Sequence, residues 1–204
     1  MRLLLVRHGE SVCGVNGIVG GERGCTGLTD RGFAQARALR DRLAAERLQA
    51  DVLLASTLPR ARQTAEVLSE VLALDIVQDA DLCEFVPGEI DGTRWDEWAG
   101  RFDVSAEPDR PLSPGGESLT AFRARVRGLL DRLAAAHDAE TVVAACHGGI
   151  VWASRQVLLT GDDRDVPVDF TSITEWVREG DSWALVRLND AAHLDGTDLL
   201  PAPV

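Results

Sequence analysis

Two histidines of this chain share a setting suited to phosphoryl chemistry. His8 follows Arg7 and precedes Gly9; His147 follows Cys146 and precedes Gly148-Gly149. Each ends a run of aliphatic or small residues, Leu3-Leu4-Leu5-Val6 for the first and Val142-Val143-Ala144-Ala145 for the second. A third run, Val52-Leu53-Leu54-Ala55, ends in Ser56-Thr57-Leu58-Pro59-Arg60. Imidazole can serve as a nucleophile near pH 7. Guanidinium is a fixed cation whose planar fork of donors fits phosphate oxygens. Arg7, Arg60, His8 and His147, with the glycine amides behind each histidine, would form a pocket for a tetrahedral dianion if the three run ends met.

The elements around these residues predict that they do meet. Short unbroken aliphatic runs read as strands buried on both faces, as in parallel sheets, and ligands bind beyond the C-terminal ends of such strands. Helical patterns follow each run. Thr29 or Asp30 caps one with Phe33, Ala36, Leu39, Leu43 and Leu48 at helical spacing, Ala61, Ala65, Leu68 and Leu72 mark the next, and Ile150 to Leu159 the third. Ile76-Val77 reads as a short extended stretch, and Ser118 opens a helix with Leu119, Phe122, Val126, Leu129 and Leu133 on one stripe. Two alternating segments, 173–177 and 183–188, flank Glu179-Gly180-Asp181 as a hairpin. The expectation is one α/β domain over 1–204, a three-layer α/β/α sandwich whose mostly parallel central sheet ends in an antiparallel C-terminal hairpin.

Two stretches escape that alternation. Residues 10–27 are glycine-rich and carry neither hydrophobic period, which predicts a long functional loop over the end of the first strand. Residues 85–117 combine Trp95, Trp98, Phe102, prolines and mixed charges and read as a lid-like insertion, its aromatics packing locally.

Composition narrows the function. The formal net charge of −12 over 204 residues argues against nucleic acid or an anionic membrane as a general partner. No apolar run approaches the roughly 20 residues that span a bilayer, and charge appears too early for a secretory signal, so the expected setting is the cytoplasm. All 21 basic residues are arginine, and tyrosine is absent. That removes P-loop lysine and Schiff-base chemistry and leaves the side chain best shaped to hold phosphate. Cys13, Cys25, Cys83 and Cys146 lack metal-ligand spacing and read as reduced structural thiols, with no metal and no cofactor expected. Of the remaining histidines, His137 reads as solvated and His193 as structural.

The motifs and their order resemble the histidine phosphatase superfamily, in its phosphoglycerate mutase-like branch. They are Arg7-His8-Gly9-Glu10-Ser11, Ser56 to Ala65, Leu82-Cys83-Glu84 with Gly88 to Gly92, Gly115-Gly116-Glu117-Ser118, His147-Gly148-Gly149, and Asn189-Asp190 with His193-Leu194. The resemblance implies that His8 attacks phosphorus and that Arg7, Arg60 and His147 hold the oxygens. It implies that Glu84 protonates the leaving oxygen and then activates water, a role helped by burial and by the adjacent dianion. Substrate contacts are expected from Ser11, Asn16, Gly21 and Gly148. The loop departs from the family pattern at Gly14, with Asn16 two residues on, and at Cys25-Thr26-Gly27.

The expected activity is therefore metal-independent hydrolysis of a small phosphorylated metabolite through a phosphohistidine. Phosphoglycerate mutase-type transfer is the alternative, and a non-catalytic phosphate-binding protein ranks below both. Hydrolysis is preferred because Arg94, Arg101 and Arg110 are outnumbered by acids between Gly88 and Glu117. Oligomeric state stays open, with a homodimer as one option.

Overall fold

A computed structural model describes residues 1–98, 106–159 and 166–199. Its centre is a six-stranded sheet in the order β3-β2-β4-β1-β5-β6. The strands are β1 (Arg2–Arg7), β2 (Val52–Ala55), β3 (Ile76–Gln78), β4 (Thr141–Cys146), β5 (Ile173–Glu179) and β6 (Ser182–Asp190). β1, β2 and β3 run parallel to their neighbours through β4 and β2, while β5 pairs antiparallel with β1 and with β6. The expected parallel sheet with an antiparallel hairpin is what forms.

Residue alternation along β1 explains the layers. Leu3 and Leu5 face one side, where they pack with Leu54, Val142 and Ala144 against Phe122, Val126 and Leu129 of α4 (Leu119–Ala136) and Ile150 of α5 (Gly148–Leu158). Leu4 and Val6 face the other, with Leu53, Val143 and Ala145 against Leu39 and Leu43 of α2 (Asp30–Glu46) and Ala65 and Leu68 of α3 (Pro59–Leu72). Helices thus cover both faces, which is why the strands are aliphatic throughout rather than alternating. The predicted caps hold, since Thr29 accepts from Gly32 N–H and Ser118 from Ala121 N–H.

Two boundaries differ from expectation. The stretch after β1 is not a bare loop, for Ser11 caps a one-turn helix α1 (Val12–Val15) by accepting from Gly14 N–H. A four-residue helix is too short to display a hydrophobic period. α5 begins at Gly148 rather than Ile150, because His147 takes the cap position and two glycines of poor helix propensity form its first turn.

Short bridges tie the segment up to Trp98 to the α1 segment. Ile18 pairs with Arg94, Val19 N–H donates to Thr93 O, and Gly92 N–H donates to Val19 O. In the same segment, 3-10 turns form at Gly88–Ile90 and Trp95–Glu97. Phe102 and Arg101 lie outside the described residues. No described helix is long and apolar enough to cross a membrane.

Candidate active site

β1, β2 and β4 lie side by side and end together, so Arg7-His8, Ser56 to Arg60 and His147 share one edge. The turn after β1 needs glycine because two backbones cross there. A Cβ at Gly9 would lie 2.4 Å from Gly32 O, and one at Gly32 would lie 2.1 Å from Glu10 O. That crossing lets the chain leave β1 sharply and keeps His8 buried at the strand tip.

The His8 ring is oriented by two bonds. Nδ1 lies 2.7 Å from Gly9 O. A carbonyl only accepts, so we assign the proton to Nδ1, which leaves a lone pair on Nε2. Arg60 Nε donates to that Nε2 at 3.0 Å, and Arg60 Nη1 donates to Gly20 O at 2.6 Å. Arg60, on the first turn of α3, is itself buried. Arg7 sends Nη1 to Val168 O, stacks its guanidinium 4.2 Å above the Phe170 ring, and keeps a buried Nε with no partner among the described residues.

His147 is fully buried, its ring centroid 5.1 Å from that of His8. Its Nε2 lies 2.8 Å from Ser56 Oγ, while its buried Nδ1 has no partner among the described residues. Glu84 approaches from the segment after β3 and is held by two amides. Oε1 accepts from Phe85 N–H at 3.0 Å, and Oε2 accepts from Gly149 N–H, in the first turn of α5, at 3.1 Å. Glycine at 149 leaves room for this carboxyl, since a Cβ there would lie 2.0 Å from Glu84 Oε1.

Burial and charge act together on the imidazoles. Burial, then Arg60 and Arg7, push His8 well below the usual value of 6.5; burial, then Arg60, His8 and Arg7, do the same to His147. Both rings are therefore neutral in the folded protein near pH 7, as a nucleophile on nitrogen requires. In the unfolded chain each would take a proton below about pH 6.5. Their contribution to stability is thus fully present above that pH and is lost as pH falls towards the depressed folded values, by up to about 1.4 kcal/mol per pH unit for each ring. We expect the denaturant midpoint at pH 5.5 to fall below that at pH 7.5 with unchanged slope; equal midpoints would mean that the rings protonate in the folded state.

A cavity of about 540 Å³ opens over this edge. Arg7, His8, Ser11, Arg60 and Glu84 line it. Ser11 is buried at the α1 cap, and Gly148 opens α5 beside Arg7, where a Cβ would lie 3.7 Å from Arg7 Nε. Gly148 does not itself line the cavity, and two further expected contacts sit elsewhere. Asn16 is exposed at the end of α1 and does not line the cavity. Gly21 N–H donates to Asp91 Oδ1 at 2.8 Å, so its amide is already engaged, and the residue borders a neighbouring hollow. Glycine-rich composition locates the loop but does not say which amides the lid takes.

Other residues join the site without a local signal. Phe170 stacks on Arg7 and lies 6.0 Å from the His8 ring. Thr171 adopts a left-handed φ of 56°, strained for a β-branched residue, and its N–H donates to Arg7 O at 2.9 Å. His193, expected as structural, bonds Thr171 Oγ1 through Nε2 at 2.8 Å and so supports the backbone behind Arg7. Trp95 and Trp98, expected to pack locally, line the cavity instead. His137 is not simply solvated: it is half-buried, with Nδ1 2.6 Å from Glu140 Oε2. The four cysteines are free, and Cys13 borders the cavity.

Comparison with known proteins points one way. Residues 3–191 match the family model of the histidine phosphatase superfamily, branch 1. A protein of Hydrogenobacter thermophilus provisionally named phosphoserine phosphatase 2 is 33% identical over 201 residues, covering 94% of this chain and 97% of its own length. A 2,3-bisphosphoglycerate-dependent phosphoglycerate mutase of Brucella ovis is 33% identical over 163 residues, covering 72% of this chain and 75% of the mutase. In fold, the chain is similar to the crystal structure of a histidine-to-alanine variant of Entamoeba histolytica phosphoserine phosphatase bound to phosphoserine, with a TM-score of 0.80, 23% identity, and coverage of 95% and 98% of the two chains.

Proposed function

This chain belongs to branch 1 of the histidine phosphatase superfamily, and from that premise we propose that it hydrolyses a small phosphomonoester through a phosphohistidine on His8. The observation that carries this reading is the His8 ring, its Nδ1 2.7 Å from Gly9 O and its Nε2 accepting from Arg60 Nε at 3.0 Å. A nucleophile needs an accessible lone pair, and this hydrogen-bond pattern leaves it on the nitrogen facing the cations.

In the first half-reaction the phosphoryl group lies over Arg7 and Arg60, whose charges meet the charge spread over its nonbridging oxygens. Arg60 exchanges its bond to Nε2 for one to an oxygen, freeing the lone pair. His147 adds a donor if its proton sits on Nδ1, and Ser56 Oγ–H, 2.8 Å from Nε2, favours that tautomer by donating to Nε2. The same hydroxyl also donates to Cys83 Sγ at 3.2 Å, so its single proton serves His147 only when it turns to Nε2. Nε2 then bonds phosphorus as the ester P–O bond breaks, and Glu84, in its acid form, gives its proton to the departing oxygen. In the second half the Glu84 carboxylate takes a proton from water, the water oxygen bonds phosphorus, and the P–N bond breaks. Inorganic phosphate leaves and neutral His8 returns. No step passes through a metal ion.

The Brucella ovis relative makes transfer to a second hydroxyl the alternative. The fate of the label separates the two after a rapid alkaline quench with a 32P-labelled monoester. Acid-labile label on protein together with released inorganic phosphate is expected. Label recovered on an added alcohol in place of phosphate would establish transfer, and protein that never carries label would remove His8 as nucleophile.

A further inference from the structure

The cavity floor and the cavity wall differ in chemistry. Its charged side chains, Arg7, Arg60 and Glu84, all stand at the floor, where the proposed reaction uses them for the phosphoryl group and the proton. The wall is Ile18, Phe85, Trp95, Trp98, Leu112 and Phe170. No other lining residue among those described carries a fixed charge, and Ser11 and Cys13 sit by the floor, Cys13 Sγ 4.0 Å from Arg60 Nη1 and 3.4 Å from Ser11 Oγ.

The described arginines of the lid do not alter this. Arg94 pairs with Asp96 at 2.8 Å and Arg110 with Glu107 at 2.7 Å, and neither lines the cavity. A leaving group bearing a carboxylate or an ammonium would therefore give up water and meet apolar surface without a described counter-charge, which is costly.

The wall is also preformed. Trp98 Nε1 donates to Thr93 Oγ1 at 2.8 Å, and Trp95 N–H donates to Gly17 O at 2.9 Å. Together with the Ile18–Arg94 bridge these bonds hold the Trp98 indole and the Trp95 backbone over the segment that follows His8. Trp95 nevertheless keeps half of its surface exposed. A large aromatic side chain carried on a bonded backbone at a cavity mouth but left uncovered is a surface that a flat apolar group would bury.

We infer that the natural substrates are phosphomonoesters of uncharged aromatic alcohols, whose ring lies against Trp95, Trp98 and Phe85 while the phosphate occupies the floor. The inference rests on the phosphatase reading above and narrows it. It also separates this chain from the substrate named for its Hydrogenobacter relative, because phosphoserine carries two charges beyond the phosphate.

The test must not confuse binding with an activated leaving group. 2-Phenylethyl phosphate is an ester of an alkyl alcohol, so its departing oxygen resembles that of phosphoserine and 3-phosphoglycerate more than a phenol does. We expect its kcat/KM to exceed those of the two charged esters by about 10- to 100-fold, the scale on which apolar pockets discriminate. Trp95→Ala should narrow that ratio mainly by raising KM for the aromatic ester. Leu112→Arg, which adds a cation to the wall, should raise kcat/KM for 3-phosphoglycerate. Preference for either charged ester in the unmodified protein, or an unchanged ratio in both variants, overturns the inference and leaves the phosphatase reading intact. If no ester is hydrolysed and no phosphoenzyme forms, the phosphatase reading itself fails.

Discussion

His8→Ala should lower kcat by on the order of 10⁴-fold or more and leave no acid-labile phosphoprotein. Removing the ring takes away the proposed attacking nitrogen but not the cations. Arg7 keeps its carbonyl partner Val168 and its stack on Phe170, and Arg60 keeps Gly20 O. The variant should therefore still bind inorganic phosphate, with affinity changed far less than turnover, and calorimetric titration checks this beside the quench experiment. Turnover near the level of the unmodified protein would shift the nucleophile to another group. His147 is the first candidate, since its ring lies 5.1 Å from that of His8. Loss of phosphate binding in parallel with turnover would instead make His8 part of the anion site.

Glu84→Gln should slow hydrolysis of alkyl phosphates by about 10²- to 10⁴-fold while slowing 4-nitrophenyl phosphate far less, because a nitrophenolate departs without a proton. The carboxylate is held through both oxygens, Oε1 by Phe85 N–H and Oε2 by Gly149 N–H. A glutamine can accept only through its carbonyl oxygen, so one amide would face an NH2 group and the side chain could shift. Gly149→Ala separates position from protonation. Its Cβ would lie 2.0 Å from Glu84 Oε1, so the carboxyl must move although it stays titratable. If Glu84 is the acid, both variants lose more on alkyl than on nitrophenyl esters. Equal losses on the two substrates would reduce Glu84 to a structural role at the start of α5.

Much of the architecture was readable without coordinates. The aliphatic runs at β1, β2 and β4 declare strands because each must bury both faces between helices. Three such ends followed by Arg7-His8, Arg60 and His147 already imply convergence, since parallel strands present their C-terminal ends at one edge. The helices α2 and α4 were legible from cap and stripe together. Helix α1 was not, because its single turn depends on one Ser11–Gly14 bond rather than on a repeating pattern.

The site was legible only where chemistry and strand position coincide. Residues that act by packing or by offering backbone left no such mark: Phe170 against Arg7, Gly20 O beneath Arg60, Thr171 behind Arg7. Asn16 and Gly21 show the converse, since suitable residue types in the right loop were turned to solvent and to Asp91.

Residue type and local period thus decide which segments are strands, which charges the chain can bring to a phosphate, and the order of its motifs. Tertiary packing decides the rest. The bond from Arg60 to His8 Nε2, the Gly149 amide on Glu84, the partner of His147 and the apolar wall of Trp95, Trp98 and Leu112 all come from residues far apart in sequence. Hydrogen bonds and cavity walls depend on ångström-scale distances between elements, and one-dimensional pattern carries only the tendency of each element to form.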